Sequence, residues 1–80
     1  MDGTIEADVV RGLWAEVLGA PVDGEDPSFF EAGGDSISAL TLIFRIQEEQ
    51  GLGVDVGDLF EAPTLSAFTR RLNTLRASGS

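Results

Sequence analysis

Ser36 is the side chain whose neighbours point to chemistry. It lies in the run SFFEAGGDSISAL, residues 28–40. Two phenylalanines lead into two glycines, and the glycines lead into an acid, the serine and an apolar stretch. Read as a helix start, Asp35 is the N-cap and Ser36 opens the helix. Backbone N–H groups are free at such a position and the dipole favours anions, so a phosphate on the Ser36 hydroxyl would be stabilised there. Gly33 and Gly34 carry no side chain to block a visiting active site. The same residues also suit an ordinary helix start, with the glycines ending the turn before it. Residue types and spacing alone leave both readings open.

Little other chemistry is available. The sequence has no His and no Cys. A Ser-His-Asp triad, a Cys-His pair and a His- or Cys-based metal site are therefore excluded. All 5 basic residues are Arg, so a Ser-Lys arrangement lacks its lysine. Asp23-Gly24-Glu25-Asp26 lacks the alternating ligands of a calcium loop. The glycines of GLGVDVG, residues 51–57, follow a helix rather than a strand and miss the dinucleotide spacing. Glu48 and Glu49 are adjacent, point to different parts of a helix surface and read as solvated charge. The chain is expected to be no enzyme, with no metal site.

With 80 residues and a net charge of −9, the chain reads as one small domain. A domain of this size buries only about 60% of the surface its unfolded chain exposes, which leaves little room for a substrate-sized pocket. The acidity disfavours nucleic acid and anionic membranes, favours basic protein partners by steering, and also serves solubility. No apolar run approaches the roughly 20 residues of a membrane span. The start MDGTIEAD lacks signal-peptide features. A cytoplasmic monomer is expected.

Four helical segments must position Ser36. The first spans about residues 5–18, capped by Thr4, with Val9, Val10, Leu13, Trp14, Val17 and Leu18 as its apolar stripe; Gly19 and Pro21 stop it. A long loop follows. It contains a short turn in which Ser28 and Glu31 have capping-box spacing, Phe29 and Phe30 anchor the loop, and Gly33 supplies positive φ. The second helix spans about residues 36–50 and ends at Gly51. Residues 55–61 are read as a short helix because no partner strand exists. The last helix follows a Thr64 cap and buries Leu65, Phe68, Leu72 and Leu75, with Arg70, Arg71 and Arg76 complementing its C-terminal end. The fold class is all-α: a small four-helix bundle of three main helices and one short one, with a long first loop. At about 100° per residue, the second helix is apolar on two sides. Ala39, Leu42, Ile43 and Ile46 form one face. Ile37, Leu40 and Phe44, with Thr41 beside them, form the other, which is expected to be an exposed docking patch.

The segment FFEAGGDSISAL resembles the attachment-site signature of carrier proteins. More narrowly, it is similar to the peptidyl carrier, or thiolation, domains of nonribosomal peptide synthetases, within the acyl-carrier-protein-like superfamily. LFEAPTL, residues 59–65, resembles that family's approach to its last helix. The likeness covers about residues 5–75; Ala32 departs from it, since the family often has Leu there. It implies a carrier domain over residues 1–76 and a flexible tail over 77–80. It implies that Ser36, flanked by Gly33, Gly34 and Asp35, receives 4′-phosphopantetheine from coenzyme A, its hydroxyl attacking the phosphate with a partner's base and magnesium. The thiol of that arm would then hold an aminoacyl or peptidyl thioester. The implied partners are a phosphopantetheinyl transferase, an adenylation enzyme, and condensation, thioesterase or tailoring enzymes. They would dock on Ile37, Leu40, Thr41, Phe44, Leu59 and Phe60. Two rivals are an acyl carrier of fatty-acid or polyketide synthesis, separated by its cargo, and an unmodified helical adaptor, separated by mass after exposure to coenzyme A and the transferase.

Overall fold

The structure is a computed structural model and describes residues 4–79. The signal-peptide reading at Met1–Gly3 and the end of the expected tail at Ser80 lie outside the described residues. Four helices run in the order α1 (Ala7–Leu18), α2 (Ser36–Gln50), α3 (Val56–Glu61) and α4 (Leu65–Gly79). The described residues form no strand; one backbone bridge joins Ser28 to Thr64. Helix α1 packs on α2 and α4, and the short α3 lies against both α2 and α4.

The core forms where the apolar stripes meet. Val10 and Trp14 of α1, Leu42 and Ile46 of α2, Leu59 of α3, and Phe68 and Leu72 of α4 are buried together with Phe29 of the long loop. The Trp14 ring is the hub. It meets Phe29 edge-on at 5.3 Å between centroids and Phe68 at 6.1 Å. Such aromatic pairs add about 0.5–1.5 kcal/mol beyond their burial. The loop is thereby tied to the helices by its own side chain.

Three further ties hold this loop. The Arg11 guanidinium donates to the carbonyls of Val22 at 2.6 Å and Gly24 at 2.9 Å. Asp26 accepts from the Ser66 backbone at 2.7 Å and from its hydroxyl at 2.9 Å, so the loop caps α4. The bridge at Ser28 is made by Phe29 N–H donating to Pro63 O and Leu65 N–H donating to Pro27 O, both at 2.8 Å.

Helix α1 starts later than its sequence suggests, and Thr4 is not its cap. Glu6 is the N-cap, in extended backbone with no side-chain cap bond. The reason lies on α4. Asn73 accepts from the Ile5 N–H at 2.8 Å and donates to the Ile5 carbonyl at 3.0 Å, which holds Ile5 out of the helix. Val9 falls off the buried stripe and is exposed. At the other end of the chain, α4 continues through Ala77 and Ser78 into the stretch expected as a tail. Thr64 does cap it, accepting from Ala67 N–H at 3.4 Å. Arg71 does not serve the C-terminal dipole; it turns to α3 instead.

Candidate modification site

The start of α2 is built from both sides. Asp35 is the N-cap, with extended φ of −134°, and its Oδ1 accepts from Ser38 N–H at 2.9 Å. That bond from the Ser38 backbone is the main reason its carboxyl sits below the usual carboxylate range. Ser36, the first helical residue, is exposed.

The two glycines do different work. Gly33 has φ +111° and open space around it, so it ends the turn in a conformation that other residues rarely adopt. Gly34 does not leave an open approach, as its sequence position suggests. A Cβ there would run into the Phe29 ring and come within 2.8 Å of the Phe29 carbonyl oxygen. Its smallness lets the chain cross directly over the buried Phe29. The turn is closed by Ala32 N–H donating to Ser28 O at 2.9 Å and Gly34 N–H donating to Phe29 O at 3.0 Å. Ala32 is exposed and borders an open groove with Pro21, Val22 and Pro27, so its small side chain leaves the core packing intact.

The apolar faces of α2 divide as the periodicity suggests. Ala39, Leu42, Ile43 and Ile46 are buried. Ile37 is 75% exposed, Leu40 58% and Phe44 62%. Thr41 is exposed beside them, its hydroxyl donating to the Ile37 carbonyl at 3.0 Å. Phe60 of α3 is 53% exposed and stacks on Phe30, with rings 5.2 Å apart and 3° from parallel. Leu59, grouped with Phe60 from the sequence, is fully buried. It belongs to the core, because a helix turns neighbouring residues about 100° apart.

Two ion-pair groups brace the helices that carry this face. Arg45 of α2 joins Glu16 of α1 at 2.5 Å and Glu49 at 3.1 Å; Glu49 is thus more than solvated charge. Arg71 of α4 joins Asp58 at 2.6 Å and Glu61 at 2.9 Å, both on α3. Burial raises the Asp58 carboxyl, but hydrogen bonds from the Asp55 backbone and from Arg71 outweigh it and hold the group below its usual range. Sequence reading misses the contacts between helices, Arg45 to Glu16 and Arg71 to Asp58, because the partners lie 29 and 13 residues apart; the Arg45–Glu49 pair, at i,i+4 spacing on α2, was legible. Among the described residues, no group of three or more His, Cys, Asp or Glu is placed to hold a metal ion. No described helix is long and apolar enough to cross a membrane.

An exposed hydroxyl at the first position of a 15-residue helix, after a tightly packed turn, fits a covalently attached anionic group. The family model described as "Phosphopantetheine attachment site" matches residues 8–72. Phosphinothricin tripeptide synthetase PhsC of Streptomyces viridochromogenes is 41% identical over 68 residues, 85% of this chain. The chain spans only 6% of that synthetase's length. Among solved structures, BlmI, a type-II acyl carrier protein of Streptomyces verticillus involved in bleomycin biosynthesis, aligns with TM-score 0.76 and 26% identity, covering 92% of this chain and 86% of BlmI. A nonribosomal peptidyl carrier domain aligns with TM-score 0.69 and 30% identity, over 80% of this chain and 82% of that one.

Proposed function

The chain belongs to the phosphopantetheine attachment-site family, and from that membership we propose that Ser36 is its attachment residue. The domain is a carrier for nonribosomal peptide synthesis that shuttles aminoacyl or peptidyl thioesters between partner enzymes. One observation carries this reading: within the matched span, an exposed Ser36 opens α2 directly after the packed turn. In the modification, the Ser36 hydroxyl oxygen bonds to the phosphorus of the pantetheine phosphate. The bond from that phosphorus to the adenosine half of coenzyme A breaks, and the serine proton passes to a base of the transferase. The attached group supplies a thiol on a long arm, which holds the cargo as a thioester.

The chain's own residues orient and present. Asp35 fixes the first turn of α2, Phe29 fixes the turn before it, and the helix N-terminus favours the phosphodiester charge. Ile37, Leu40, Thr41, Phe44 and Phe60 form the docking face for the transferase, for an adenylation enzyme, and for condensation, thioesterase or tailoring enzymes. The family is generally non-catalytic, and this chain's lack of His, Cys and Lys agrees with chemistry supplied by those partners. The likeness to BlmI supports a second cargo class, an acyl group. Mass spectrometry after incubation with coenzyme A and a phosphopantetheinyl transferase tests the assignment. One phosphopantetheinyl addition is expected on the wild type and none on Ser36→Ala. An unmodified wild type would leave the adaptor reading standing. Loading by amino-acid-adenylating against acyl-activating enzymes then separates the two cargo classes.

A further inference from the structure

Helix α3 has six residues, and it presents one of the large exposed aromatic rings, Phe60. Six residues are too few for a helix to hold its own shape in water, so its placement depends on tertiary contacts. Leu59 plugs it into the core. Val56 of the same helix packs against the core as well, and Ala62 is buried at its C-terminal end. Arg71 adds a polar tie to this apolar seat. Its two terminal nitrogens reach two carboxylates on successive turns of α3, Asp58 and Glu61. The Asp58 carboxylate is shared. One oxygen takes the Arg71 bond while the other accepts from Asp55 N–H at 3.0 Å and completes the capping box of α3. The pair is partly shielded, with the Arg71 side chain 31% and the Asp58 side chain 16% exposed. Downstream of α3 the coupling is aromatic. Phe60 stacks on Phe30, and Phe30 belongs to the turn that delivers Gly33, Gly34 and Ser36.

We propose that Arg71, on the helix furthest along the chain from Ser36, is a positioning residue for partner recognition. Its fork onto Asp58 and Glu61 sets the rotation of α3, and thereby the seat of Phe60 on Phe30 beside the modification turn. This rests on the reading of Ser36 given above. Arg71 itself touches no substrate; it acts through Phe60.

The test is steady-state modification of the carrier by a phosphopantetheinyl transferase with coenzyme A, using wild type, Arg71→Met, Arg71→Lys, Phe60→Ala and Arg71→Met/Phe60→Ala. Measurements are made well below each variant's thermal midpoint. Arg71→Met keeps the aliphatic stem and loses the fork. A lost docking contact raises KM and spares kcat, so Arg71→Met should raise KM roughly tenfold with kcat changed less than about twofold. Arg71→Lys, a point charge without the planar fork, should recover part of the loss. The double variant should be no worse than the poorer single one, because both changes remove the same seated ring. A wild-type KM in Arg71→Met, or losses that multiply in the double variant, overturns the proposal. The Phe30 and Phe60 ring NMR signals give a readout that needs no partner. They should shift in Arg71→Met, and unchanged signals also overturn the proposal. A wild type that is never modified removes the recognition role and the Ser36 reading together, while ring shifts in Arg71→Met still separate the positioning step from that failure. If Arg71→Met does not fold, Arg71→Lys and Asp58→Asn take its place in the same measurements.

Discussion

The two flanks of α2 are built from similar residues and meet different surroundings. Leu42 is fully buried, while Leu40, two positions earlier, is 58% exposed. Ile43 and Ile46 face the core, and Ile37 and Phe44 face water. Leaving a large apolar side chain in water forgoes about 1.5–3 kcal/mol of burial free energy. A small bundle that forgoes it several times along one helix has the kind of apolar surface that commonly marks a protein interface. The buried flank makes the fold, and the exposed flank next to Ser36 is the one we propose for recognition.

Truncation on the buried flank should have the largest effect on folding. Leu42→Ala is expected to cost about 2–5 kcal/mol in chemical denaturation, since it opens a cavity in a fully packed core. Gly34→Ala should cost about 1–3 kcal/mol through overpacking against Phe29. The same change should slow Ser36 modification, because the turn must shift. A normal midpoint for Gly34→Ala would show that the turn does not rest on Phe29 as described.

Acid should sharpen the contrast by acting on the Asp58–Arg71 pair and not on the apolar flanks. The Asp58 carboxyl is lowered in the folded state, so its stabilising contribution is present above the ordinary carboxylate value of about 4 and is lost as pH falls through the lowered one. Thermal midpoints taken from pH 7 downward should fall below about pH 4, and Asp58→Asn should flatten that limb while lowering the plateau. An Asp58→Asn curve parallel to the wild type would remove the ion pair from the account. The smallest effect on folding should come from Leu40→Ala, within about 0.5 kcal/mol of wild type as for other exposed positions. Its modification and loading rates should nevertheless drop. If Leu40→Ala unfolds as readily as Leu42→Ala, the division into two flanks is wrong.

What could be read in advance was local. Asp35 and Gly51 bound α2 because a cap bond reaches three residues and a left-handed glycine ends a helix where it stands. The two faces of α2 were legible from periodicity, and the short α3 from the lack of any partner strand. The errors arose where distant side chains compete with local preference. Asn73 captures the backbone of Ile5 and so delays α1. Asp26 caps α4 from 40 residues away. Arg71 looked like a dipole-complementing charge because its carboxylate partners belong to another helix. Gly34 looked like an open approach because nothing in the sequence places the Phe29 ring beneath it. At the site itself, spacing alone left Ser36 between an ordinary helix start and an attachment point. Likeness to a family, rather than physical chemistry, favoured the second.

The most direct test of the central claim is intact-protein mass spectrometry on wild type and Ser36→Ala after exposure to coenzyme A and a phosphopantetheinyl transferase, with peptide mapping of the product. A single phosphopantetheinyl addition, mapped to Ser36, is expected in the wild type, and Ser36→Ala should stay unmodified with unchanged helical content. An addition that persists in folded Ser36→Ala, or that maps to Ser28 or Ser38, would contradict it.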